Sequence, residues 1–238
     1  MAQATPDSLA NDRERKSKKM TDVLLQQADR MHSRSELFVD HLRGRLIVSC
    51  QDYVGVMIDA ALRGGAPALR VNAPQGVRIA REKTDRPIIA CNKVYFPNCD
   101  IYITPSVRSA LKLVEAGADA VALDCTNRHR CRQSMREIIQ VIHGAGVIAV
   151  ADLRSVDEGK AAADADADVL ATTLADRFDP AFIAELSRLG KPVLAEGHID
   201  TPEKAGQAID AGAWAVCVGS AITRPHLLTE AFAEALGG

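Results

Sequence analysis

Pro192-Val193-Leu194-Ala195-Glu196-Gly197 is a short apolar run that stops at a carboxylate and a glycine. Further on, Ala215-Val216-Cys217-Val218 runs directly into Gly219-Ser220-Ala221-Ile222-Thr223-Arg224-Pro225. A buried parallel strand reads this way when its C-terminal end opens into a site: continuous Val, Leu and Ala for the two covered faces, then an abrupt polar or glycine tip. The first tip offers a carboxylate. The second offers a glycine, a hydroxyl and a guanidinium, a set suited to a phosphate at the end of an α/β barrel.

Working outward, the same pattern recurs at Leu46 to Cys50, Ala68 to Val71, Pro87 to Cys91, Ala118 to Asp124, Val147 to Asp152 and Val169 to Thr172, with amphipathic, helix-length segments between. With the two runs quoted first, that makes eight units. Glu115-Ala116-Gly117-Ala118-Asp119-Ala120-Val121 and Asp210-Ala211-Gly212-Ala213-Trp214-Ala215-Val216 repeat one connection, a glycine closing a helix and feeding the next strand. Strict alternation implies a parallel sheet, and eight units imply closure into a (β/α)8 TIM barrel, with an open doubly wound sheet as the alternative. Ile101-Tyr102-Ile103-Thr104 would be a ninth strand and is read as a short segment in the third βα loop, with Pro105 at the first turn of the helix that follows.

The 238 residues suit one such domain. Residues 35–238 are assigned to the barrel. Residues 1–34 are set apart as a charged extension, because Asn11-Asp12-Arg13-Glu14-Arg15-Lys16-Ser17-Lys18-Lys19 has no apolar period and reads as solvated chain. Apolar positions between 21 and 43 predict a helix leading into the barrel and ending at Gly44.

A formal charge of -2 gives no electrostatic footprint for nucleic acid, and no apolar run approaches the roughly 18 residues that span a bilayer. The six cysteines lack paired zinc-type spacing. Cys50, Cys91, Cys125 and Cys217 fall in or just after strand-like runs, where reduced thiols pack as small hydrophobes, so a reduced, cytoplasmic protein is expected. A metal site built from Cys50, Cys91 and Cys125 is the weaker reading.

In a barrel of this kind the strand tips share one mouth, so polar tip residues become the site candidates. They are Ser49 and Gln51, Arg70 and Asn72, Lys93, Asp124 with Thr126, Asp152, Thr172 with Thr173, Glu196, and Gly219 with Ser220. Asp152 also reads as a simple cap of the next helix. For Asp124, the arginines at 128 and 130 favour a role in the site. Lys93 follows the buried run Ile88-Ile89-Ala90-Cys91-Asn92. A lysine titrates near 10.4 in water, and desolvation beside a cation can lower it by a few units into the range of a useful base. A base at one strand tip and the Glu196 carboxyl at another suit removal and return of a proton at a carbon beside a carbonyl.

Gly44-Arg45-Leu46-Ile47-Val48-Ser49-Cys50-Gln51, Arg70-Val71-Asn72, Lys93, Tyr102-Ile103-Thr104-Pro105, Ala122-Leu123-Asp124-Cys125-Thr126, Ala195-Glu196-Gly197 and Gly219 to Pro225 together resemble the N-acetylmannosamine-6-phosphate 2-epimerases, from about residue 36 to the C-terminus. The resemblance implies interconversion of N-acetylmannosamine 6-phosphate and N-acetylglucosamine 6-phosphate without metal or nucleotide cofactor. It implies Lys93 and Glu196 as catalytic residues. Gln51, Arg70 and Asp124 would contact the sugar, and Gly197, Gly219, Ser220 and Arg224 the phosphate. The partner implied is the phosphorylated amino sugar, with neither nucleic acid nor membrane; a homodimer is one assembly the reading allows.

The chain departs from the family pattern in three places. The link from Gln51 to Gly64 is shorter, Val94-Tyr95-Phe96-Pro97 follows the lysine in place of Arg-Asp-Tyr-Pro, and Asn127, His129, Cys131 and Arg132 replace an acidic, proline-rich stretch. These departures leave open another phosphorylated amino sugar as substrate, or a non-catalytic phosphosugar-binding regulator. A barrel of histidine, tryptophan or thiamine biosynthesis would share the phosphate loops without the conjunction of Lys93, Glu196 and Ser49-Cys50-Gln51.

Overall fold

The structure is a computed structural model and describes residues 36–237; the charged extension and the part of the predicted leading helix before residue 36 lie outside the described residues. Strands β1 (Leu46–Cys50), β2 (Ala68–Asn72), β3 (Ile88–Cys91), β4 (Ala120–Asp124), β5 (Ile148–Asp152), β6 (Val169–Ala171), β7 (Val193–Glu196) and β8 (Ala215–Val218) are all parallel and close into a barrel in chain order. The register that closes it sets Leu46 of β1 beside Val216 of β8. Helix α1 covers residues 36–42. Then come α2 (Val54–Arg63), α3 (Ala73–Lys83), α4 (Val107–Glu115), α5 (Met135–Gly144), α6 (Val156–Asp164), α7 (Pro180–Ser187), α8 (Pro202–Asp210), the single turn α9 (Ser220–Thr223) and α10 (Pro225–Ala235). The open-sheet alternative is excluded.

The two recurring glycines act as expected. Gly117 and Gly212 have φ of 99° and 100°, a backbone that L side chains rarely adopt, and each ends its helix with the same pair of bonds. Gly117 N–H donates to Val114 O and Ala118 N–H to Leu113 O; Gly212 N–H donates to Ile209 O and Ala213 N–H to Ala208 O. The two-bond cap satisfies carbonyls that the helix end leaves free and turns the chain back toward the sheet. An Asp makes the same turn after α6, where Asp166 has φ 72° and Asp166 and Ala167 bond to Ala163 and Ala162. A search for glycine alone misses it.

Strand periodicity then divides the core in two. Val48, Leu69, Val71, Val121, Leu123, Ala149, Ala151, Leu170 and Val216 point outward and pack beneath the helices. Ile47, Ala68, Ile89, Ala120, Ala122, Ile148, Val150, Val169, Leu194 and Ala215 point inward and fill the barrel. Helix α1 belongs to the inner cluster through Phe38 and Leu42, and Trp214 Nε1 donates to Val39 O at 2.6 Å. Helix α1 therefore stoppers the end of the barrel opposite the strand tips, and the turn through Gly44, whose N–H donates to Trp214 O, delivers the chain into β1.

One local reading is corrected, and another gains its detail. Helix α4 begins at Val107 rather than at Pro105, because the Ser106 hydroxyl accepts from Ser109 N–H and takes the cap position. The segment 101–104 pairs with the residues after β3 by an antiparallel bridge between Lys93 and Ile103, so it is a hairpin folded over the mouth, outside the barrel count.

Candidate active site

The inward parity that fills the barrel with Ile, Ala and Val continues to the strand tips, and there it changes chemistry. Two residues beyond Ile47 stands Ser49; beyond Ala68, Arg70; beyond Ala122, Asp124; beyond Val150, Asp152; beyond Ala171, Thr173; beyond Leu194, Glu196. Of these, Ser49, Arg70, Thr173 and Glu196 line a cavity of about 430 Å³ at the C-terminal mouth, with Asp152 buried beneath it. Its wall includes Gln51, Arg70, Lys93, Glu196, Gly197, Gly219, Ser220 and Arg224, so eight of the nine residues expected from sequence stand around one space.

Arg70 is the electrostatic centre. It is 1% exposed, with Nη2 donating to Asp152 Oδ2 at 2.7 Å and Nη1 2.7 Å from Glu196 Oε2. The second contact is close but off the line of a hydrogen bond, and neither Nη1 nor Nε has a hydrogen-bond acceptor. Among the described residues these two nitrogens thus have no protein acceptor in line, which leaves a donor at the cavity floor for a group that enters it. Thr173 Oγ1 ties the two carboxylates together, at 2.6 Å from Asp152 Oδ1 and 3.3 Å from Glu196 Oε2. One cation faces two carboxylates, so the cluster is short of positive charge. Burial pushes the Glu196 carboxyl above its usual range; Arg70 opposes this, and Asp152 adds to it. A carboxyl with a raised pKa at a cavity wall is suited to donate as well as accept a proton.

Lys93 comes from the opposite side. Its Nζ donates to Gln51 Oε1, and Gln51 Nε2 donates to Ser49 Oγ at 3.0 Å. Its backbone N–H donates to Asn72 Oδ1 at 3.0 Å, and the bridge to Ile103 completes its fixing. The ammonium is therefore aimed by an amide relay from β1 while its backbone is tied to β2 and to the hairpin.

Asp124 stands apart from its expected role as a sugar contact. It is fully buried, does not reach the cavity wall, and is occupied by Thr126 N–H at 3.0 Å, Thr126 Oγ1 at 2.7 Å and the Arg128 guanidinium. Arg128 in turn lies over the Tyr102 ring, 5.7 Å from its centroid, and Tyr102 does line the cavity. Asp152 is the strand-end aspartate that joins Arg70 and Glu196, the role that helix capping had been its competing reading. The next helix is capped instead by Ser155, whose hydroxyl accepts from Glu158 N–H.

At the other end of the cavity β8 runs into Gly219 and the turn α9. A Cβ on Gly219 would lie 3.3 Å from the Ser49 Cβ, so only glycine lets this turn close against β1 without displacement. Thr223 Oγ1 donates to Ser49 O at 2.8 Å and fixes the turn. The first amides of α9 have no carbonyl within the turn to donate to. Arg224 Nε is already bound to Asp52 Oδ2 at 2.7 Å, in the link between β1 and α2.

The alternative metal site finds no support: among the described residues no group of three or more His, Cys, Asp or Glu is placed to hold an ion. Burial pushes the thiols of Cys50 and Cys91 up to about 11, as befits core residues. Among the described residues, no helix is long and apolar enough to cross a membrane.

Comparison with known proteins agrees with this geometry. Residues 54–238 match the NanE family model, described as "Putative N-acetylmannosamine-6-phosphate epimerase". A protein of Clostridium perfringens named "Putative N-acetylmannosamine-6-phosphate 2-epimerase" is 34% identical over 219 residues, covering 83% of this chain and 99% of that one. The bifunctional enzyme NanE/NanK of Brucella melitensis is 37% identical over 226 residues, which are 87% of this chain and 43% of that protein. The solved structure of the N-acetylmannosamine-6-phosphate 2-epimerase from Clostridium perfringens superposes with a TM-score of 0.79 at 33% identity, covering 82% of this chain and 95% of that chain. With the family model matching residues 54–238 and relatives of this kind aligned over more than four fifths of its length, the chain belongs to the NanE family of N-acetylmannosamine-6-phosphate epimerases.

Proposed function

We propose that the protein interconverts N-acetylmannosamine 6-phosphate and N-acetylglucosamine 6-phosphate by removing and returning the proton on C2. The observation that carries this reading, within the family just named, is that one cavity holds an aimed lysine, a buried carboxyl with a raised pKa and an arginine with an unused donor. In the open-chain sugar the C1 aldehyde acidifies the C2 proton. Lys93 takes it, the enolate oxygen receives a hydrogen bond from Arg70 Nη1, and Glu196 assists ring opening or returns a proton from the other face. Gln51 orients Lys93 and offers its amide to the sugar; Asp124 contributes by holding Arg128 against Tyr102. The phosphate is placed at Gly197, Gly219, Ser220 and Arg224, remote from C2, where its binding energy can be used to position the reacting carbon.

The test is turnover in deuterated water. One deuterium is expected at C2 of both sugar phosphates, read by proton NMR. Absence of label, with the phosphosugar bound at the mouth, would favour the regulatory reading.

The phosphate assignment makes a separate prediction. Arg224→Ala is expected to raise KM for the phosphorylated sugar about tenfold or more, as loss of a charge-assisted contact does, with the melting temperature unchanged. Because Asp52 competes for the same guanidinium, Asp52→Asn is expected to lower KM about two- to fivefold, the range of a half-exposed ion pair. Steady-state kinetics on the two variants checks both signs. Equal KM in wild type and Arg224→Ala would remove the guanidinium from the phosphate site.

The homodimer also belongs here as a proposal. Helix α10 has no buried residue, and Leu227, Leu228, Phe232 and Leu236 are 41%, 59%, 66% and 86% exposed. A stripe of this kind on a terminal helix is costly in water and suits a second copy. Phe232→Asp is expected to shift the mass measured by light scattering from dimer to monomer. A monomeric wild type at micromolar concentration would overturn this assembly.

A further inference from the structure

We propose that Cys99 and Cys131 form a reversible dithiol–disulfide pair that clips together two loops at the mouth of the barrel. Cys99 lies in the link between β3 and α4, and Cys131 in the link between β4 and α5. Four of the six cysteines are buried in the core; these two are the accessible ones, Cys131 exposed and Cys99 half-buried. The two links are already docked. Cys131 N–H donates to Cys99 Sγ at 3.4 Å, Asp100 N–H donates to His129 O at 3.0 Å, and the Arg132 guanidinium lies 4.8 Å from the centroid of the Phe96 ring. A disulfide needs the two Cα atoms within about 7 Å, and the contact between Cys131 N–H and Cys99 Sγ already brings the two residues together on links that lie outside every strand and helix.

The surroundings of the two sulfurs differ. Desolvation acts to raise the Cys99 thiol, but hydrogen bonds from the Cys131 side chain and backbone, helped by the Arg130 charge, bring it below its usual range; the same contact holds the Cys131 thiol above its own. In the proposed exchange Cys99 is taken as the attacking sulfur and Cys131 as the resolving one, the order these directions favour. With glutathione disulfide as the oxidant, the Cys99 thiolate attacks one glutathione sulfur and expels glutathione thiolate, leaving a mixed disulfide on Cys99. Cys131 then loses its proton and attacks the Cys99 sulfur, releasing the second glutathione. Two protein thiols become one disulfide, and one glutathione disulfide becomes two glutathiones.

The consequence reaches the site. The link that carries Cys99 leaves from Lys93 and returns at Tyr102 and Ile103, closed by the bridge from Lys93 to Ile103 and by Val94 N–H donating to Tyr102 O at 2.9 Å. Lys93, Tyr102 and Ile103 all line the cavity. Pinning the tip of this hairpin restrains the arm that bears the lysine, and the expected effect on turnover rests on the epimerase reading.

The experiment equilibrates the full chain in glutathione buffers of increasing oxidised fraction, blocks remaining thiols with iodoacetamide and maps the peptides by mass. The expected result is a Cys99–Cys131 linked peptide with the four buried thiols still blocked only after unfolding, while Cys99→Ser and Cys131→Ser each stop at a single mixed disulfide or remain reduced. Stable glutathione on either cysteine of the wild type, or a link between two copies, would overturn the pair. On the same samples, kcat is expected to fall roughly threefold or more on oxidation and to return on reduction, as for a restrained loop, with both serine variants unresponsive. Full cross-linking with unchanged kcat and KM would overturn the link to the site. Inactivity of the reduced wild type would count against the epimerase reading, and the peptide map would still decide the disulfide.

Discussion

Lys93→Met is expected to lower turnover by at least about a hundredfold, some 2.7 kcal/mol of transition-state stabilisation, which is the lower range for loss of a positioned base. Methionine keeps much of the length and apolar body of lysine and removes only the amine. The fold should tolerate it, because Lys93 contributes to the hairpin through its backbone, by the bond to Asn72 and the bridge to Ile103, both of which the variant retains. What it loses is the contact to Gln51 Oε1, and that amide is half-buried and able to turn to water. Circular dichroism melts should therefore superpose while kcat collapses with little change in KM. Near-normal turnover would assign the C2 proton to another group, and exchange of label at C2 by the variant would identify Glu196 as sufficient.

The same residue shows what sequence could and could not supply. Apolar runs with polar tips located the strands to within a residue or two, since a strand covered on both faces has few other solutions. Polar groups at those tips fell on one mouth, because a closed parallel barrel leaves them no other place. The two aspartates were harder. Asp124 and Asp152 end adjacent strands, are register partners and are both fully buried, so nothing local separates them. The arginines that follow Asp124 suggested a functional environment, whereas in the folded chain Arg128 reaches back and neutralises it. The partner that makes Asp152 part of the site is Arg70, 82 residues earlier on β2, and a pairing across the barrel interior leaves no trace in spacing. Asp52 is a similar case, legible as part of the link after β1 but not as the carboxylate that holds Arg224.

Arg70→Met carries the largest expected cost in stability, about 3–5 kcal/mol, the range for removing one partner of a buried ionic cluster. The variant leaves Asp152 and Glu196 facing each other across Thr173 with no cation between them. Two carboxylates so close cannot both stay ionised in a dry site, and one must take up a proton. The sign of the pH dependence follows. In wild type the folded Glu196 pKa is raised by burial in spite of Arg70, so its protonation favours the fold below the unfolded value near 4.5 and that advantage fades as pH rises through the folded value. Without Arg70 the opposing term is gone, the folded pKa rises further, and the loss extends to higher pH. The variant should therefore approach wild-type stability in acid and fall furthest behind above neutrality. Urea titrations between pH 4.5 and 8 measure this directly. A deficit that is constant with pH would mean that Arg70 supports the fold through packing alone. Arg70→Lys provides the contrast: it restores a cation and should recover most of the stability. It should leave turnover low, because an ammonium cannot span Asp152 and Glu196 and still direct a donor at the enolate oxygen.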